Sequence, residues 1–189
     1  HIQSSPDGVY KVQFAEKEEV IIPDDPEPVS TLPWATPWRV IIVGDNLANI
    51  VETNIVQNLN PPSVISDESW IIPGRSSWSW WSEGWTAADY KTQLAYVDFT
   101  ANMGWEYMLI DAGWQNMKEG SMEDVVKYAN SKNVCVWLWY HSGAGRTNDT
   151  INHLNMLSFP EARIKEFERI EKLGVKGIKI DFFDTDKQN

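Results

Sequence analysis

The sequence predicts an α/β fold: the first half of a (β/α)8 TIM-type barrel, preceded by the end of a β-sandwich. Three observations carry this. From Pro73 onward, apolar strand-like runs alternate with amphipathic helical stretches, as in a parallel sheet with right-handed crossovers. Each of these runs ends in polar or aromatic residues, as barrel strands do at their C-terminal face. Before Pro73 the chain instead shows short alternating runs broken by prolines. Residues 1–72 are therefore expected to be the C-terminal part of a sandwich domain with its exit linker, and residues 73–189 the N-terminal half of the barrel. A doubly wound sheet fits less well, because the first strand leads into SEGWTAAD rather than a Gly-rich turn such as GxGxxG.

Within 1–72, Val9–Phe14 alternates apolar and polar, as a half-exposed strand does. Val20–Ile22 is a short strand stopped by Pro23. The stretch PDDPEPVSTLPWATPW holds five of the ten prolines and reads as an extended link. Trp38–Val43, WRVIIV, predicts a buried strand, and Leu47–Leu59 predicts either a helix or a strand with a loop.

Ser77–Trp81 (SWSWW) predicts the first barrel strand. A helix follows, with Thr86 as N-cap, Tyr90, Leu94 and Val97 at helical spacing, and Gly104 as stop. Tyr107–Asp111 predicts the second strand. Ser121 caps the next helix, which turns Val125, Val126 and Tyr128 inward. Val134–Tyr140 is the third strand, and it buries the lone Cys135. Pro160 suits the first turn of a helix with Ile164, Phe167, Ile170 and Leu173 on one face. Gly174 lets the chain out into the fourth strand, GVKGIKIDFF, with the polar residues Asp184, Asp186 and Lys187 beyond it.

The net charge of -11 argues against nucleic acid, whose phosphates need a basic surface. Eleven tryptophans with many carboxylates suit a sugar site: a flat apolar face for the ring, acceptors for the hydroxyls. A single cysteine excludes a disulfide framework. No apolar run reaches the ~18 residues of a membrane span. The chain starts at His1 without a leader and stops just after a catalytic-looking strand, so a piece of a longer protein is expected.

The strand ends bring together Trp80 or Trp81, Asp111, His141, Lys179 and Asp181, with Trp80 favoured. Lys179 and Asp181 are two apart and share one face of their strand. Opposite charges on an apolar strand are costly unless they pair or do work. A structural Lys–Asp pair, a turn aspartate at Asp111 and a structural histidine at His141 are the competing interpretations. His141 and His153 lack HExxH or facial-triad spacing, so no metal ligands are predicted from spacing. Ser142 has no GxSxG elbow around it, which argues against acyl transfer. An ionised, positioned Asp181 has the attributes of a glycosidase nucleophile.

PGRSSWSWW, LIDAGWQ, WYHSGAG and KIDFFDTDKQ, in that order, resemble glycoside hydrolase family 97, in the clan that also holds the α-galactosidase families. The resemblance implies a β-sandwich followed by a catalytic barrel. It also implies Asp181 as nucleophile, with Lys179 binding substrate hydroxyls in the clan's K-x-D pattern. The family's inverting branch carries Gly in place of that Asp and Glu after the strand-three His. Asp181 and Ser142 here resemble the retaining, α-galactosidase branch. Calcium, an oligosaccharide or glycoside substrate, and a periplasmic or secreted location are further implications. The acid/base residue and most calcium-binding glutamates would lie on later strands, so the chain alone is expected to be inactive. An inverting α-glucosidase of the same family and a non-catalytic carbohydrate-binding barrel are the alternatives.

Overall fold

A computed structural model describes residues 2–12, 14, 29–36, 38–143 and 150–183. The chain forms two compact units, Pro28–Ile72 and His1–Glu27 with Pro73–Asn189. The smaller unit holds two short helices, α1 (Leu47–Val51) and α2 (Ile55–Asn58), with Asn46 capping α1 through Asn49 N–H. Trp38–Val43 differs from expectation. It joins no ladder among the described residues, and Ile41 and Val43 are exposed. An apolar run becomes a buried strand only where a partner edge and a covering face exist. The larger unit has a hairpin of β1 (Ile2–Ser4) and β2 (Tyr10–Val12), shorter than the predicted Val9–Phe14 strand. Val20–Ile22 and the Asp184, Asp186 and Lys187 segment lie outside the described residues.

The rest of that unit is a four-stranded parallel sheet in sequence order: β3 (Ser76–Trp78), β4 (Tyr107–Ile110), β5 (Cys135–His141) and β6 (Gly177–Asp181). Between them run α3 (Trp80–Glu83), α4 (Tyr90–Asn102), α5 (Met122–Ser131) and α6 (Pro160–Leu173). Local signals set most helix ends. Ser121 accepts the Asp124 N–H, Pro160 opens α6, and Gly174 closes it in a left-handed conformation. Asp89, not Thr86, caps α4, because Thr86–Ala88 forms a 3-10 turn that delivers Asp89 to the Thr92 N–H.

Strand alternation divides the sheet into two faces. Met108, Ile110, Val136, Leu138 and Tyr140 pack with Val97, Val125, Val126, Ala129 and Ile170 of the three longer helices. The helices thus cover one face. On the other lie Trp78, Leu109, Trp137, Trp139, His141, Lys179 and Asp181, aligned by the pairings Trp78↔Leu109, Leu109↔Trp137, Trp139↔Lys179 and His141↔Asp181. Gly177 is needed on this face, since a Cβ there would come within 2.6 Å of the Trp137 indole. Cys135 is half-buried rather than buried, because it too falls on this face instead of the helix-covered one. Arg75 ties the start of β3 to β4 through two hydrogen bonds and an ion pair with Glu106.

Candidate active site at the strand ends

The face without helices carries a cluster of charge at its C-terminal end. Asp111 follows directly on β4, and its side chain is only 5% exposed. Its Oδ2 accepts the Trp78 Nε1–H at 2.6 Å and a Lys179 Nζ–H at 3.0 Å, while Oδ1 accepts the Ala112 N–H at 2.7 Å. Lys179 Nζ also lies 3.7 Å from Asp181 Oδ2 and 4.4 Å from the Trp78 ring centroid. Lys179 therefore sits between two carboxylates with its ammonium over an indole, a favourable place for a cation. Asp181 Oδ2 accepts the Trp139 Nε1–H at 3.3 Å, and Oδ1 accepts the Phe182 N–H at 3.0 Å.

These contacts favour the charged form of Asp181. Partial burial pushes its pKa up, but the Phe182 N–H, the Trp139 indole and Lys179 together outweigh that. They hold the carboxyl below the ordinary aspartate range. At neutral pH the group is an anion with fixed orientation.

His141, level with Asp181 in the ladder, is buried, and its Nδ1 accepts the Gly143 N–H at 2.9 Å. A neutral imidazole so held carries its proton on Nε2. Gly143 has φ 85, and a Cβ there would clash with Ser158 Oγ, so the turn that delivers this N–H requires glycine.

Asp111, Lys179 and Asp181 thus come together, with His141 beside them. Trp80 does not join them. The β3 ladder ends at Trp78↔Leu109, Ser79 turns the chain into α3, and Trp80 packs edge-on against Trp85 at 4.4 Å. The indole among the charges is that of Trp78, with Trp81 packed against it at 5.2 Å. Trp139 and Phe182 also belong to the cluster, and neither is among the predicted site residues. Alternation gave a signal for Trp139, two residues before His141 and hence on the same face. Nothing local marks Phe182. A cleft of about 360 Å3 between α5 and α6, bordered by the ion-paired Glu166 and Arg169, belongs to the helix side and shares none of these groups.

Among the described residues no group of three or more His, Cys, Asp or Glu side chains is placed to hold a metal ion. The oxygens of Asp111 are already engaged by a cation and N–H donors. The described residues do not by themselves build the calcium site that the resemblance implies. No helix among the described residues is long and apolar enough to cross a membrane.

A family model described as glycoside hydrolase 97 matches residues 70–189, and one for the glycosyl hydrolase 97 N-terminal region matches residues 3–62. The chain belongs to glycoside hydrolase family 97. Two curated relatives are a probable retaining alpha-galactosidase of Streptomyces bingchenggensis, 34% identical over 82% of this chain, and a retaining alpha-galactosidase of Bacteroides thetaiotaomicron, 33% identical over 80%. The matched part of this family 97 chain spans about a quarter of their length, 24% and 23%. Among solved structures, a beta-arabinopyranosidase is 35% identical with a TM-score of 0.80, covering 98% of this chain and 30% of its own. A family 97 enzyme from Pseudoalteromonas sp. strain K8, solved with acarbose, shares the fold at 19% identity and a TM-score of 0.56, covering 74% of this chain and 24% of its own.

Proposed function

We propose that this chain is part of a retaining glycosidase that removes terminal α-linked galactose, with Asp181 as nucleophile. The observation that carries this is Asp181 itself. In a glycoside hydrolase chain it is an oriented anion at a strand end, sharing Lys179 with the buried Asp111. In the first step an Asp181 oxygen attacks the anomeric carbon from the β face. The bond to the leaving oxygen breaks, and that oxygen takes a proton from a carboxylic acid outside residues 1–189, about 5–5.5 Å from Asp181. In the second step that group, now a carboxylate, deprotonates a water. The water attacks the same carbon, frees Asp181 and restores the α configuration. Lys179, His141 Nε2–H and the remaining acceptor position of Asp111 Oδ1 bind ring hydroxyls, and the exposed Trp81 face meets the sugar.

On the same proposal, residues 73–189 are the first half of a (β/α)8 barrel, and residues 1–72 are the end of the preceding β-sandwich. Edges at β3 and β6 support the half-barrel, as do an exposed Ile180 on the helix side of β6 and a buried Trp137 Nε1–H without a partner among the described residues. The relatives' greater length leaves room for the other strands. The calcium implied by resemblance would be held by glutamates outside this chain, and the enzyme would work in the periplasm or outside the cell.

A β-arabinopyranoside is the second substrate reading, supported by the relative at TM-score 0.80. An α-D-galactoside and a β-L-arabinopyranoside have the same ring configuration and differ by one hydroxymethyl group, so one site can accept both.

The test uses the full-length protein that carries these residues. Asp181→Asn should abolish turnover of aryl α-galactosides while leaving the melt intact. Azide should restore activity to Asp181→Gly and give the β-glycosyl azide. The first sugar released by the unmodified enzyme should be the α anomer by NMR. A β anomer would show that Asp181 is not the nucleophile. Parallel assays on the aryl β-L-arabinopyranoside decide which sugar is preferred.

A further inference from the structure

A nucleophilic carboxylate gives up its charge in the first displacement and regains it in the second, when its bond to the anomeric carbon breaks. Donors fixed on its oxygens favour that return of charge, and a donor already in place does so without reorganising. Among the described residues, two N–H groups lie within hydrogen-bond distance of the Asp181 carboxylate. The Phe182 backbone N–H meets Oδ1 at 3.0 Å, and the Trp139 Nε1–H meets Oδ2 at 3.3 Å. Lys179 Nζ is farther away, at 3.7 Å, and gives its direct bond to Asp111 at 3.0 Å. The Trp139 indole is also well fixed. The residue is only 3% exposed, and its carbonyl accepts the Trp114 Nε1–H at 2.8 Å. Its ring meets those of His141 and Phe182 edge-on, at 6.3 and 6.1 Å. Those two rings stack on each other at 5.4 Å, and the Ser142 Oγ–H holds the Phe182 carbonyl at 2.6 Å.

We propose that Trp139 is a catalytic residue of the second displacement: its indole N–H stabilises the Asp181 carboxylate as that carboxylate leaves the sugar. This rests on the reading of Asp181 as the nucleophile. In that step a water oxygen bonds to the anomeric carbon. The bond from that carbon to Asp181 breaks, and its electron pair stays with Asp181. The water proton passes to the carboxylate outside residues 1–189. Resonance spreads the returning charge over both Asp181 oxygens, so the Trp139 bond strengthens whichever oxygen held the sugar. In the first displacement the same bond steadies charge that the attack must spend, so its loss does not slow the attack. A residue that only packs the site would affect both steps alike, and this asymmetry sets the two roles apart.

The experiment uses the full-length enzyme and a dinitrophenyl α-galactoside, whose leaving group needs little acid assistance, so that the second step limits kcat. Trp139→Phe removes the N–H with part of the ring. Replacement of Trp139 by 3-benzothienylalanine removes the N–H alone, since sulfur takes its place in a ring of the same shape, and this variant decides if Trp139→Phe folds poorly. Loss of the N–H should lower kcat by about tenfold, the lower end of what one hydrogen bond to a charged group supplies. KM should fall with it, leaving kcat/KM, which reports the first step, within about threefold. Stopped-flow traces should keep the rate of the dinitrophenolate burst while the steady-state rate drops. The galactosyl adduct on Asp181, read by mass spectrometry of quenched enzyme, should decay correspondingly more slowly. A benzothienylalanine enzyme with wild-type kcat and adduct decay overturns the proposal. So does one in which kcat/KM and the burst rate fall as far as kcat, because the indole then only packs the site. Asp181→Asn is the reference. If it is inactive while the benzothienylalanine enzyme behaves as wild type, this inference alone fails. If Asp181→Asn retains turnover, the nucleophile reading fails first.

Discussion

Removing Lys179 offers a sharp test of how the charge cluster is held. At 3.0 Å and an effective dielectric constant of about 20, the Lys179–Asp111 pair has a gross attraction of about 5.5 kcal/mol. The Asp181 side chain is 45% exposed, so its attraction at 3.7 Å is screened towards the water limit, about 1 kcal/mol. The loss on Lys179→Met is thus mainly that of Asp111, left buried and charged with only N–H donors. Breaking a fully buried pair costs roughly 3–5 kcal/mol, and because Lys179 is itself 31% exposed the expected cost is about 2–3 kcal/mol. Asp111→Asn removes the stranded charge, so the double variant Lys179→Met/Asp111→Asn should regain most of the loss. Calorimetric or urea unfolding of the two single variants, the double variant and the wild type closes the cycle. A coupling of about 2 kcal/mol is expected. Strict additivity, within about 0.5 kcal/mol, would refute the reasoning, because it would mean that Asp111 does not depend on Lys179 for its charge.

Trp78→Phe keeps an aromatic face under Lys179 but loses the Nε1–H bond to Asp111; unfolding should show a cost of about 1–2 kcal/mol. Trp78→Ala should cost more, since the ring goes too. On the helix side, Tyr140 donates to Glu166 Oε1 at 2.7 Å, and Arg169 braces the same carboxylate. Tyr140→Phe should therefore destabilise by about 1 kcal/mol with kcat unchanged, and a large fall in kcat would show that this network reaches the site. The Asp181 pKa is lowered on folding, so its contribution is present above the ordinary aspartate range and is lost only as pH falls through the lower folded value. The acid limb set by Asp181 in a kcat/KM profile should accordingly lie below that range, and a limb above it would contradict the contacts described.

Much of the fold was legible because its signals are local. Apolar periodicity, Ser121 before a helix, Pro160 at its start and Gly174 at its end act within a turn or two of chain, and the elements followed them. The same locality explains the misses. WRVIIV has the composition of a buried strand, yet composition says nothing about whether a partner edge exists. SWSWW reads as one strand, but β3 runs only as far as its ladder with β4, and that ladder stops at Trp78.

The site divides along the same line. From the sequence alone came Asp111, His141, Lys179 and Asp181 at strand ends, because alternation and strand order are enough to bring such residues to one face and one end. Only the tertiary structure decided which tryptophan lies among them, that Lys179 reaches Asp111 across 68 positions, that Trp139 donates to Asp181, and that Ser142 and His141 grip Phe182. These are pairings between strands. They depend on register and twist, which are set by the packing of the whole sheet and are not written in any one segment.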